Sequence, residues 1–128
     1  LLLEAGAVSA LGDWLSGLGR NGAVVTVTAL GGLGAYVTGS GVTANALFMP
    51  SAAATGQHFD LLTLFAALQH SAAGHAAMAS LPVVAVLLAA LPKVEKGDEA
   101  HALRSGLVLA LLWVSLVGAS GFAQTSLN

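Results

Sequence analysis

The chain has 128 residues, of which 56% are hydrophobic and 8% charged, whereas a soluble domain carries about 25% charged residues. A water-soluble protein of this length needs a polar exterior that this composition does not supply, so the sequence predicts an integral membrane protein. The net charge of −2 excludes a basic surface for nucleic acid, and the absence of cysteine excludes disulfides and thiolate metal sites.

The fold class predicted from hydropathy is an all-α polytopic membrane protein with broken or re-entrant helices. In chain order, the predicted elements are a partial span over 1–19, a span over 22–38, a half-span over 44–55, a span over 61–80, a half-span over 82–91, a solvated loop over 92–104 and a span over 105–124. For residues 1–19 the alternative is an interfacial helix anchored by Trp14.

The central feature is an uncharged run of 39 residues from Asn21 to Phe59, about twice the length that one helix needs to cross a bilayer. Glycines and small polar residues interrupt it over residues 39–45. In lipid, a backbone that leaves the helix keeps its polar groups only where protein or a water-filled cavity satisfies them. This stretch is therefore predicted to line a binding cavity, with an ordinary Gly/Ser kink as the alternative.

Local signals place the element ends around this run. Pro50 predicts that the half-span over 44–55 is short or kinked. Gly56 is predicted to end that helix, and Asp60 to cap the helix that begins at Leu61.

The glycines of this stretch also suggest an alternative, a nucleotide-binding loop. Gly39, Gly41 and Ala44 fit a loose G-x-G-x-x-A pattern. No second strand follows Gly41 and the region has no charged surface, so we reject a Rossmann unit.

The residues from Gly31 to Phe48, which read GGLGAYVTGSGVTANALF, resemble the glycine-rich segment of the L-lactate permease family. In that family a helix runs into Thr-Gly-Ser, followed by a Thr, an Asn and a Leu-Phe pair. Leu68-Gln69, the Ala/Gly-rich run and Pro82 look like that family's next segment. The resemblance implies a C-terminal portion of a carrier in the bacterial plasma (inner) membrane, which takes up lactate or glycolate with protons.

The break has the chemistry that a monocarboxylate needs. A half-helix beginning near Thr43 would direct free N–H groups and the positive end of its dipole at the anion. The Ser40 and Thr43 hydroxyls would add donors, and Asn45 would serve a 2-hydroxyl group. Gly39 and Gly41 would let the backbone approach the substrate closely.

The next uncharged run supplies three further candidates. Gln69 is predicted to line the substrate site. His70 and His75 are candidates for proton coupling, because ionisable groups at membrane depth are usually functional and histidine titrates near neutrality. The alternative for each histidine is a neutral ring bonded to a carbonyl in a packed helix. The two lie about 140° apart around a helix and do not share a metal.

Together these features predict secondary active transport of a small organic anion, a lactate- or glycolate-like monocarboxylate, by symport with a proton, or with sodium as the other coupling ion. The predicted partners are the lipid bilayer and the rest of the parent transporter chain. The alternative is a non-transporting scaffold or assembly subunit whose small-residue helices exist for packing. No cofactor, metal site, nucleic acid or enzymatic activity is expected.

Overall fold

The computed structural model describes residues 2–127, with side chains described from residue 6 onward. Six α-helices account for nearly all of this part of the chain, and it contains no strand, so the all-α prediction is confirmed. The helices are α1 Leu2–Gly17, α2 Gly19–Thr38, α3 Gly41–His58, α4 Leu62–Met78, α5 Leu81–Ala89 and α6 Asp98–Leu127.

Two segments are long and apolar enough to cross a membrane, by length and composition. One is Leu62–Ala89, which joins α4 and α5 across the short break at Ala79 and Ser80, and the other is α6. The 30 residues of α6 extend about 45 Å, against a hydrocarbon core of about 30 Å. The span predicted over 22–38 lies within α2 and stays a prediction.

Helix α6 runs antiparallel to both α2 and α4. Near its end, Gly121 packs against Leu68 of α4 and Val24 of α2, and near its start Gly106 packs against the Ala79 carbonyl. Glycine at such crossings lets helix backbones approach closely, which is how helices associate in lipid. The arrangement is fixed at one end by Arg20, whose Nη1 donates to the Thr125 carbonyl at 3.1 Å.

Helices α2 and α3 form an antiparallel hairpin whose tip is the Gly39–Ser40 break. Gly34 of α2 contacts Phe48 and Ala44 of α3. Helix α3 then packs along α4 from the tip to its far end. The hairpin thus places the break against the last part of α4.

The interior has two clusters of different character. The cluster remote from the break contains large side chains, namely Leu15, Val24, Val27, Phe65 and Leu68, with Ala23 and Ala52. The cluster beside the break consists of alanines alone, which are Ala35, Ala44, Ala73, Ala76 and Ala110. Backbones are therefore close together around the break, and small changes in helix position move the polar groups there.

Several predicted boundaries differ from the structure. The half-span predicted over 44–55, short or kinked at Pro50, is longer than expected. Helix α3 runs through Pro50 for 18 residues, as neighbouring helices allow in membrane proteins. Gly56 does not cap α3, which continues to His58; it is buried against Leu62 and Phe65 instead.

The two other corrections concern the loops. Asp60 does not cap α4, because it has φ 57° and the helix begins after Leu61 without a side-chain cap. The loop predicted over 92–104 ends sooner, since α6 begins at Asp98. Acidic residues in the first turn of a helix stabilise it through the helix dipole. The charges of Asp98 and Glu99 therefore stabilise the start of α6, although the polarity of this segment led to the prediction of a loop.

The close packing of α3 against α4 at Gly56 leads to a prediction about stability. A Cβ there would lie 2.8 Å from Leu62 Cα and 3.0 Å from Phe65 Cβ. Overpacking of this kind costs about 1–3 kcal/mol, more than the ~0.5–1 kcal/mol that alanine gains over glycine in a helix. We expect Gly56→Ala to lower the thermal unfolding temperature in detergent. The control is Gly74→Ala, whose Cβ would meet nothing within 4 Å; equal stability of the two variants would contradict the packing argument.

Candidate functional site

The break between α2 and α3 is built by three consecutive residues. The Thr38 hydroxyl donates to the Gly34 carbonyl at 2.7 Å, and Gly39 takes a left-handed φ of 71° with its N–H bonded to the Ala35 carbonyl at 2.8 Å. Ser40 is extended, and its Oγ accepts from the Thr43 N–H at 3.1 Å. Glycine permits the reversal and serine caps the next helix, so α3 begins at Gly41, close to the predicted start near Thr43.

A second serine-capped helix start lies next to the first. Ser80 Oγ accepts from the Val83 N–H at 3.4 Å at the beginning of α5, and Pro82 occupies its first turn. The two starts lie near each other, because Gly39, two residues before α3, packs against the first turn of α5. A Cβ on Gly39 would lie 2.9 Å from the Pro82 ring. Each helix start carries a partial positive charge of about half an elementary charge, and the structure brings two of them together where the sequence has no charged side chain.

Gly41 packs the start of α3 against α4. A Cβ there would lie 3.3 Å from the Ala73 carbonyl oxygen and 3.4 Å from Gly74 Cα. Gly41 was predicted to let the backbone approach the substrate. In this structure it lets the backbone of α3 approach the backbone of α4.

Asn45, Gln69 and His70 form one hydrogen-bonded row between α3 and α4. Asn45 Nδ2 lies 3.0 Å from His70 Nδ1, and Gln69 Nε2 lies 3.4 Å from Asn45 Oδ1. An amide nitrogen only donates, so His70 Nδ1 accepts in this arrangement. His70 is exposed, Asn45 half-buried and Gln69 fully buried. The row runs from an accessible ring to the interior.

The inner end of the row is unsatisfied. Gln69 Oε1 is buried and has no hydrogen-bond partner among the described residues. It packs on α2 at Gly31, where a Cβ would lie 2.9 Å from this oxygen. A buried polar atom left without a partner costs about 1–3 kcal/mol, which makes this oxygen the most conspicuous polar feature of the site.

His75 lies outside this row. Its Nδ1 is 2.7 Å from the Ser71 carbonyl, to which only a protonated nitrogen donates, and its ring stacks on Trp113 of α6 with centroids 4.6 Å apart. This geometry matches the alternative interpretation, a ring bonded to a carbonyl of its own helix.

The structure thus gathers most of the predicted site residues and separates two. Gly39, Gly41 and Ser40 build the break, while Asn45, Gln69 and His70 form the row beside it. Thr43 is exposed and contributes its backbone N–H to the Ser40 cap, and His75 faces α6.

Three contributors were missed as site residues: Thr38, Gly31 and Pro82. Thr38 precedes Gly39 directly and has the local signal of a side chain that bonds a helix carbonyl. Gly31 and Pro82 contact the site only through tertiary packing, which no local pattern reveals.

The hairpin tip lies alongside the apolar part of α6. Gly41 packs on Ala73 and Gly74, and the next residue, His75, stacks on Trp113 at the middle of α6. Helix α5 starts beside the tip at Pro82. If α6 crosses the bilayer, the break lies within the hydrocarbon layer, as expected for a re-entrant hairpin.

The larger cavities of the described residues lie elsewhere. One of about 890 Å³ opens between the start of α4 and the end of α6, and its polar lining includes Gln57, Asp60, Ser71, Ser120 and Gln124. At the break itself Gly39 packs against Pro82 and Gly41 against Ala73 and Gly74, and the binding cavity predicted over residues 39–45 stays a prediction.

Comparison with known proteins identifies the family. The family model described as L-lactate permease matches residues 1–127. The chain belongs to the L-lactate permease family. This lactate permease chain is accordingly a polytopic membrane protein, and its two helix breaks lie in the segments on which the sequence resemblance rests. No curated protein and no solved structure matches it.

Gly39 provides a test of the break in the permease. Gly39→Ala and Gly19→Ala both place a side chain at positive φ, 71° and 72° respectively, at a cost of about 1–2 kcal/mol each. Only at Gly39 does the new Cβ meet another helix, through Pro82, whereas Gly19 has open space. At equal protein levels, we expect labelled lactate uptake to fall about tenfold or more in Gly39→Ala alone, since small displacements of a site are costly. Equal losses in both variants would show that backbone strain, and not the contact between Gly39 and Pro82, is responsible.

Proposed function

We propose that this permease family member moves a small 2-hydroxy monocarboxylate, such as lactate or glycolate, across the plasma membrane of a bacterium together with a proton. Family membership indicates transport of lactate across a membrane. The finer statements, secondary active transport and proton symport, rest on the geometry of the break.

The observation that carries the proposal is the proximity of two serine-capped helix starts. The first amides of α3, at Gly41 and Val42, and that of α5, at Leu81, lie on either side of the packing of Gly39 against Pro82. Free N–H groups and two dipole ends attract an anion. Because no arginine or lysine is present in this segment, the attraction is moderate, as a carrier that must release its substrate requires.

The remaining polar groups suit a 2-hydroxy acid and a proton. Asn45 lies one turn inside α3, beside the capped start, and offers both a donor and an acceptor to a hydroxyl group. His70 bonds to Asn45 and is exposed at the end of the row, so a proton can reach it. We assign proton coupling to His70 over His75, because His75 is bonded to its own helix. A histidine at the accessible end of the row supports a proton as the coupling ion, because an imidazole ring can bind and release one.

The partners that follow are the bilayer, the coupled ion and the remaining helices of the carrier. A purely structural scaffold would account for the alanine cluster beside the break. It would not account for a buried acceptor without a partner at Gln69, since such an atom weakens packing.

Substitution of Asn45 tests the substrate site. Loss of one hydrogen bond to a charged or polar substrate group costs about 1.5–3 kcal/mol, or ten- to a hundredfold in affinity. We expect Asn45→Ala, and to a smaller extent Thr43→Ala, to raise the lactate concentration for half-maximal uptake by that factor while the protein stays in the membrane. Kinetics of labelled lactate uptake by the full-length protein measure this.

Two controls accompany that experiment. Asn21→Ala removes a matched side chain that accepts from Thr125 at the other end of the bundle, and it is expected to leave half-saturation unchanged. Pro50→Ala changes helix geometry, so its effect should fall on expression or maximal rate. If Asn45→Ala and Thr43→Ala are both silent, the break is a structural kink and the site lies elsewhere.

A further inference from the structure

The row from His70 to Gln69 has a direction. In the arrangement observed, Gln69 Nε2 donates to Asn45 Oδ1, Asn45 Nδ2 donates to His70 Nδ1, and the buried end is the oxygen Gln69 Oε1. Every donor along the row points toward the histidine. The inner end therefore presents an acceptor, which repels a carboxylate.

A proton at His70 reverses this direction. Protonated Nδ1 is a donor and no longer accepts from Asn45 Nδ2. Rotation of the Asn45 amide by 180° places its oxygen on the imidazolium and its NH₂ on Gln69. Gln69 must then rotate as well, so that its oxygen accepts from Asn45 and its NH₂ occupies the buried end.

We propose that Asn45 and Gln69 act as a proton-driven polarity switch, in which protonation of His70 reverses the direction of the row and turns its buried end from an acceptor, which repels an anion at the helix starts, into a donor, which favours one. This inference rests on the proposed function, which supplies both the proton and the carboxylate. It makes Gln69 a coupling residue that never carries the proton itself. A proton bound at His70 and a carboxylate bound at the start of α3 each favour the other, which is the energetic requirement of symport.

The packing around Gln69 is compatible with such a switch. The side chain is fully buried and its end abuts α2 at Gly31, where a Cβ would lie 2.9 Å from Oε1. The amide oxygen and NH₂ group are nearly the same size, so their exchange requires no new volume. The 3.4 Å hydrogen bond between Gln69 and Asn45 is at the limit of hydrogen-bond length. Rotation of the two amide groups therefore breaks only a weak bond.

No other charged group competes for His70 in the part of the chain described. The helices packed against α4 are α2, α3 and α6. Their titratable side chains are Arg20 and Tyr36 of α2, His58 of α3, and Asp98, Glu99, His101 and Arg104 of α6. Among described residues none of these is hydrogen-bonded or ion-paired to His70, and on α4 itself His75 bonds to Ser71. The partner that responds to the His70 proton is therefore Asn45.

The decisive experiment measures proton uptake on lactate binding by the full-length permease reconstituted in liposomes. The wild-type protein should take up about one proton per lactate bound, and its lactate affinity should fall about ten- to a hundredfold as pH rises through the titration of His70. Gln69→Met, of similar volume but unable to donate, should bind lactate weakly, with no proton uptake and a flat pH profile. Gln57→Met is the matched control, an exposed glutamine at the end of α3, and it should behave as wild type.

A second measurement needs no variant and guards against misfolding of Gln69→Met. In the ¹⁵N-labelled wild-type protein, the side-chain amide signals of Asn45 and Gln69 should shift with the same pH midpoint as the His70 ring, without lactate present. Amide signals that do not follow the His70 titration would overturn the switch.

The outcomes separate this inference from the proposed function. If the wild-type protein shows no lactate binding or uptake at any pH, the proposed function fails. If the wild-type protein couples lactate to protons and folded Gln69→Met does so with the same stoichiometry and pH profile, the function stands and the switch is wrong.

Discussion

The structure depends on how the chain leaves one helix and begins the next without exposing backbone polar groups to lipid. At the Gly39–Ser40 break every step has a partner: the Gly39 N–H bonds to Ala35, the Ser40 N–H to the Thr38 hydroxyl at 3.3 Å, and the Thr43 N–H to Ser40 Oγ. Each unsatisfied group would cost several kcal/mol in hydrocarbon. The amides that the Ser40 cap does not reach remain at the start of α3, and this is where the proposed function places the anion.

The second constraint is the distance between backbones. Around the break the buried side chains are alanines, and glycines occupy the crossings. Small residues bring α2, α3 and α4 close enough for Asn45 to reach both Gln69 and His70, one residue apart on the same helix. The hydrogen-bonded row is thus a consequence of the small-residue composition, and larger side chains at Ala44 or Ala73 would separate its members.

The sequence alone predicted the all-α membrane class and the positions of both breaks, because Gly-Ser and Ser-x-Pro strings have local conformational causes. It also identified Asn45, Gln69 and His70 as candidates, although not their contact, which depends on the pairing of α3 with α4. The wrong boundaries share one cause. The short length of the third helix, its end at Gly56 and the cap at Asp60 were predicted from local propensity. Packing against neighbouring helices determines the first two, and the backbone at φ 57° determines the third.

The two interior clusters divide the molecule into an end packed by large side chains and an end packed by small ones. Phe65, Leu15 and Leu68 fix the helices far from the break through large contact areas, whereas the alanine cluster beside it forms few side-chain contacts per residue. A shift of the hairpin tip away from Pro82 therefore breaks less packing than any movement at the other end. The unsatisfied Gln69 oxygen lowers the stability of this end further. The local loss of stability is thus located at the end of the bundle that holds the proposed site.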